Sequence, residues 1–206
     1  MIEFVVFMLG SLAVCVVLVA LQYARGGRGH VKPAPHKSGT VEYLRGVEHS
    51  FLAATAGTSV VIWEQIPQAR TELSRSAAAG NGDAATALAM LNYWAALISK
   101  RTAGTPADKE NARAEKRKFK DELRSLALRG NARARCAVAA MNGELGEMRF
   151  AELYRLFLET EVSPDAPRSV GALDGMIGIA AALGETEYAS ELAKRHAKYV
   201  SQRTVI

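Results

Sequence analysis

From position 41 onward, apolar side chains recur every three or four residues, the spacing that gathers them on one face of an α-helix. The pattern predicts helices over residues 41–55, 58–79, 83–101, 107–129, 132–143, 147–162, 168–183 and 185–203. The breaks between them are chemical. Gly80-Asn81-Gly82, Gly104-Thr105-Pro106, Gly130-Asn131, Gly146, the run from Ser163 to Pro167, and Gly184 carry the residue types that end one helix and begin the next. Strand-like alternation is confined to residues 58–63 (TSVVIW), and Pro67 is placed to kink or divide the second helix. The expected class is all-α.

Residues 4–24 (FVVFMLGSLAVCVVLVALQYA) are a different material: 21 positions without one charge. At about 1.5 Å per residue they would span about 30 Å as a helix, the thickness of a bilayer core. A cleaved signal peptide would carry a basic leading region, a shorter apolar stretch and small residues at the cleavage site. Here Met-Ile-Glu leads, and no A-x-A follows. The expected organisation is a transmembrane anchor at 1–24, a basic Gly/Pro linker at 25–40 and a helical domain at 41–206. Glu3 alone precedes the apolar run, whereas Arg25, Arg28, Lys32 and Lys37 follow it. Because positive residues stay on the cytoplasmic side, the expectation is a single-pass inner (plasma) membrane protein with its C-terminal domain in the cytoplasm. The same four cations are placed to touch anionic headgroups of the lipid bilayer. Residues 51–63 and 169–184 are nearly charge-free but too short to cross a membrane, so they are expected as buried helices.

Composition narrows the function. The 206 residues include 36 alanines, which favours closely packed helices over sheet. Net charge is +5, but beyond position 40 there are 22 basic against 20 acidic residues, so no nucleic acid partner is expected. Cys15 and Cys136 form neither a disulfide framework nor a zinc cluster, and Cys136 within ARCAVAAM reads as a small core residue. No G-x-x-x-x-G-K-[ST], H-E-x-x-H or G-x-S-x-G occurs, so no catalytic, cofactor-binding or metal-binding residue is expected and the chain does not read as an enzyme. His30 and His36 fall in the linker, His49 follows Glu48, and His196 lies in the basic end of the last helix. The rival reading is a small-ligand sensor or an enzyme whose site is assembled from distant residues, with Glu64 or Asp174 lining a polar pocket. A periplasmic placement of the same domain is the third. Homo-oligomerisation is left open, since Gly10 and Ser11 are small but form no GxxxG pair.

Two features point to a binding surface. Residues 108–124 hold seven basic and five acidic side chains, and Lys116, Arg117, Lys118 and Lys120 around Phe119 are locally +4, a candidate contact for an acidic partner. Phe150, Leu153, Tyr154 and Phe157 follow the helical period; such stripes are usually core, but Tyr154 and Phe157 are also candidate partner anchors.

Internal similarity ties these together. Setting Gly80 on Gly130 aligns Ala77 with Ala127, Asn81 with Asn131 and Ala84 with Ala134, an offset of 50; setting Gly146 on Gly184 aligns LGEMRFA of LGEMRFAEL with LGETEYA of LGETEYASEL, an offset of 38, with one extra residue before the closing Glu-Leu of the second. Both offsets suit helix-turn-helix units. Over residues 74–199 the chain resembles the tetratricopeptide and Sel1-like repeat families, most clearly in GEMRFAELYRLFLETEVSP at 146–164. It departs from them in its uneven spacing and in the missing aromatic after the Gly82 and Gly130 turns. The resemblance implies an α-solenoid of antiparallel hairpins and a scaffold or adaptor role, binding a protein partner in a membrane-associated machine such as a bacterial secretion or conjugation apparatus.

Overall fold

The computed structural model describes residues 39–142, 146–162 and 167–203, and these form eight α-helices with no strand among the described residues. They are α1 (Thr40–Thr55), α2 (Ser59–Ala78), α3 (Gly82–Thr102), α4 (Pro106–Leu128), α5 (Ala132–Asn142), α6 (Gly146–Val162), α7 (Pro167–Ala182) and α8 (Thr186–Arg203). The chain is therefore all-α over this region. The apolar run at 4–24 and the cations Arg25, Arg28, Lys32 and Lys37 lie outside the described residues. No described helix is long and apolar enough to cross a membrane.

Local chemistry explains the boundaries. Gly80, Gly130 and Gly184 adopt the left-handed conformation, with φ of 89°, 89° and 75°. At each, the Gly N–H donates three residues back (to Ala77, Ala127 and Ala181), and the next N–H donates five back (to Ser76, Leu126 and Ala180). This pairing uses up carbonyls that a helix end leaves bare, and an L side chain would resist the backbone it needs. The residue after the first two glycines then caps the following helix: Asn81 Oδ1 accepts from the N–H of Asp83 and Ala84, and Asn131 Oδ1 from that of Ala134. Helix α4 starts on a different device, Thr105 Oγ1 accepting from the Asp108 N–H with Pro106 just inside the helix.

Residues 58–63 open α2, in keeping with the helix expected over 58–79, and Pro67 does not divide that helix, which runs on to Ala78. Gly146 is not the counterpart of Gly184, because it is helical, at the first position of α6. A Cβ there would run into the Met141 carbonyl, so this glycine serves a close backbone approach. The shared turn is the one at Gly80, Gly130 and Gly184.

Each helix packs on its neighbours in sequence, and α1 packs in addition on α6, far along the chain. Helices α1 and α2 come close because Gly46 has no side chain: a Cβ would lie 2.6 Å from Leu73 Cγ. The core is built on an aromatic row. Tyr93 meets Phe150 edge-on at 4.5 Å between centroids, Trp94 meets Tyr154 at 5.8 Å, and Phe150, Tyr154 and Phe157 follow one another along α6. Each such pair contributes about 0.5–1.5 kcal/mol beyond the area it buries. Alanines at Ala84, Ala87, Ala89, Ala134 and Ala137 are buried between the flanking helices, as the composition predicts.

Candidate functional site

Tyr154 and Phe157 are each 1% exposed, so they hold helices together and offer no surface to a partner. This face of α6 is covered by Tyr93 and Trp94 of α3 and by α1. Tyr43, Val47, Ser50 and Ala53 form its buried stripe, and the Tyr43 hydroxyl donates to Glu161 Oε2 at 3.0 Å across 118 positions of chain.

Glu161 is the centre of a cluster that joins five helices. Its Oε1 accepts from Arg133 at 3.2 Å and from Arg195 at 2.9 Å, while Arg133 also donates to the Tyr43 hydroxyl at 3.2 Å and faces Asp83 at 3.6 Å. Arg195 reaches further, to the Thr160 carbonyl at 3.0 Å. The Arg133 guanidinium lies over the rings of Phe157 and Tyr188, at 5.5 and 5.8 Å. Two cations and two carboxylates balance, and the side chains of Arg133 and Glu161 are only 12% and 10% exposed.

The electrostatics keep this cluster charged and its phenols neutral. Burial and then Glu161 push the Tyr43 hydroxyl well above its usual range, and burial, partly opposed by Arg133, pushes Tyr188 up to about 12. Burial alone would favour a neutral Arg133, but Glu161, aided by Tyr43, Tyr188 and Asp83, outweighs it and holds the guanidinium charged. At neutral pH, then, neither phenol nor either guanidinium exchanges a proton, and the arrangement acts as a polar latch between helices. Sequence reasoning passed over it, although one signal was present: Glu161 continues the stripe Phe150, Tyr154, Phe157, and a charge on a core stripe calls for a buried partner.

The basic stretch of α4 is divided by the fold. Lys116 Nζ lies 2.7 Å from Glu147 Oε1, which Lys100 also reaches at 3.0 Å, so this cation ties α4 to α6. Both lysines, Lys116 first, hold the Glu147 carboxyl below its usual range against the opposing effect of burial. Arg117 pairs along its own helix with Glu110 at 3.1 Å. Lys118 lies 5.4 Å from the ring centre of Phe119. Burial first, then the cations Arg124 and Lys116, lower the Lys120 pKa, and Asp121 opposes them.

Among the described residues, no group of three or more His, Cys, Asp or Glu side chains could hold a metal ion. Cys136 is buried, and desolvation followed by Glu185 pushes its thiol up to about 11. Asp174 pairs with His196 at 3.2 Å, and Glu64 is exposed. Residues 51–63, expected as a buried helix, are instead exposed at Leu52, Val60, Val61 and Trp63 around the α1–α2 turn; elsewhere Leu128 and Met148 are exposed as well. Compared with protein-family models, with curated proteins and with solved structures, the chain matches none.

Proposed function

We propose that this protein is a membrane-anchored helical adaptor whose α4 surface receives an acidic partner within a membrane-associated assembly. The observation that carries the reading is the turn at Gly80, Gly130 and Gly184, repeated with one backbone geometry and one hydrogen-bond pattern. A recurring hairpin is how tetratricopeptide-like and Sel1-like arrays generate extended docking surfaces, and the repeated turn supports reading this domain as α-solenoid-like. The contact between α1 and α6 departs from strict neighbour stacking, and Tyr154 and Phe157 are buried, so an exposed helix face such as that of α4 is left to receive the partner. On α4 the cations Lys118 and Lys120, in the locally basic run from Lys116 to Lys120, are offered to a partner's carboxylates. The uncharged run at 4–24 and the cations behind it supply the anchor, and the linker at 25–40 keeps the domain near the cytoplasmic face.

The test is crosslinking in cells followed by capture of the full chain from gently solubilised membranes, beside the double variant Lys118→Glu, Lys120→Glu. A stoichiometric protein recovered with the wild type and lost from the variant supports the reading. Equal recovery with both would remove α4 as the docking face, and recovery of nothing by either would end the adaptor hypothesis. A reporter fused after Ile206 that works only on the far side of the membrane would reverse the topology.

A further inference from the structure

The geometry points to a second bilayer contact made by the α1–α2 hairpin, in which Leu52, Val60, Val61 and Trp63 enter the boundary between headgroups and acyl chains. This rests on the reading that residues 4–24 hold the chain at a membrane.

The four side chains lie within about two turns of the connection between Thr55 and Ser59, and Val60 and Trp63 are 73% and 41% exposed. No charged residue occurs from Phe51 to Trp63, thirteen positions that include the whole connection. A protein–protein contact is specified by a polar, often charged rim around its apolar centre, and this hairpin end offers none of its own. A bilayer asks for the opposite: an apolar protrusion without charges to desolvate, with an aromatic ring able to settle at headgroup depth. Gly57 has open space around it, so the turn presents no bulk beyond the apolar side chains themselves.

The chain ahead of α1 places the surface within reach. The apolar run ends at Ala24 and α1 begins at Thr40. Whatever their conformation, the residues between the two reach at most about 3.3–3.6 Å each, and α1 itself is about 24 Å long at 1.5 Å per residue. With the chain anchored at 4–24, the far end of α1 cannot leave the neighbourhood of the bilayer, and a weak apolar contact gains from that high local concentration. The nearest charges beyond the run are Glu48 and Glu64, both acidic. The contact is accordingly expected to be as strong on neutral phosphatidylcholine as on anionic lipid, and insensitive to salt.

Trp63 and Trp94 are the two tryptophans of the chain, and Trp94 is buried in the core, so Trp63 serves as the reporter. The full chain is reconstituted into phosphatidylcholine vesicles with plain or brominated acyl chains, beside Trp63→Phe to subtract Trp94. The expected result is loss of the Trp63 emission in brominated vesicles and loss of its quenching by aqueous acrylamide, both unchanged at high salt. The double variant Val60→Asp, Val61→Asp, at exposed positions, should restore acrylamide access while the chain still floats with the vesicles. A chain that floats with Trp63 open to acrylamide and untouched by bromine overturns the hairpin contact and leaves the anchor standing. Trp63 shielded from acrylamide but untouched by bromine means that a protein or a second copy covers it, which also overturns the proposal. A chain that does not float overturns both readings.

Discussion

Replacing Glu161 by Ala removes the shared acceptor of three side chains on three other helices: Tyr43 on α1, Arg133 on α5 and Arg195 on α8. Arg195 is 27% exposed and can turn toward water, but Arg133 is 12% exposed and is left with Asp83 at 3.6 Å as its remaining carboxylate. Stranding one member of a buried ion pair costs about 3–5 kcal/mol, since the remaining charge has lost its water without keeping its partner. For a domain of this size each kcal/mol moves the melting temperature by about 2–4 °C, so a fall of roughly 6–20 °C is expected. Urea denaturation followed by helical circular dichroism reads the loss, with an unchanged dependence on denaturant showing that the same surface is exposed on unfolding. The companion variant Arg133→Met, Glu161→Leu removes both charges and should recover much of the loss, because apolar replacements of a buried pair are often neutral or better. A loss below about 1 kcal/mol for Glu161→Ala, the level of an exposed pair, would refute the argument that this cluster is sealed from water. A double variant worse than the single one would refute the account of its cost.

The glycine turns make a matched set: Gly80→Ala and Gly130→Ala each force a left-handed backbone on an L residue and should lose about 1–2 kcal/mol. Gly82→Ala, in open space at the start of α3, should gain about 0.4–1 kcal/mol by stiffening the unfolded chain, and the same urea melts rank all three. With Cys15 replaced by Ser, Cys136 should resist a thiol reagent in the native protein and react at once in denaturant. Because its folded pKa is raised to about 11 from 9.0, the unfolded thiol ionises first, so its share of stability is whole below pH 9 and declines as pH rises toward 11, a trend absent from Cys136→Ala. Glu147 has a lowered folded pKa, so the advantage of wild type over Glu147→Gln, under about 1 kcal/mol at this exposed site, should be present above the ordinary carboxylate range and vanish as pH falls through the folded value.

The helices were legible in the amino-acid sequence because their signals act within a single turn. Gly80, Gly130 and Gly184 stop a helix by their own backbone freedom, Pro106 and Pro167 open one, and the three-four spacing of apolar residues names the buried face; the eight helices expected beyond position 40 correspond to the eight observed among the described residues, within a residue or two at each end. The errors came where a local likeness had no local cause. Gly146 and Gly184 sit in similar words, LGEMRFAEL and LGETEYASEL, yet one glycine makes room for the Met141 carbonyl and the other adopts a left-handed turn. Periodicity likewise marked Tyr154 and Phe157 as one face of α6 without saying what lies against it. That was decided by α3 and by α1, the latter more than a hundred residues earlier, and its buried stripe and Tyr43 hydroxyl find α6 only once the intervening helices have folded back. The division of the α4 cations has the same origin: their charge is written in the chain, but whether Lys116 meets solvent or Glu147 depends on which helix is brought alongside. Capping and helical period are settled between neighbours a few residues apart, whereas the pairing of faces is settled by which arrangement buries the most apolar surface while leaving no charge alone.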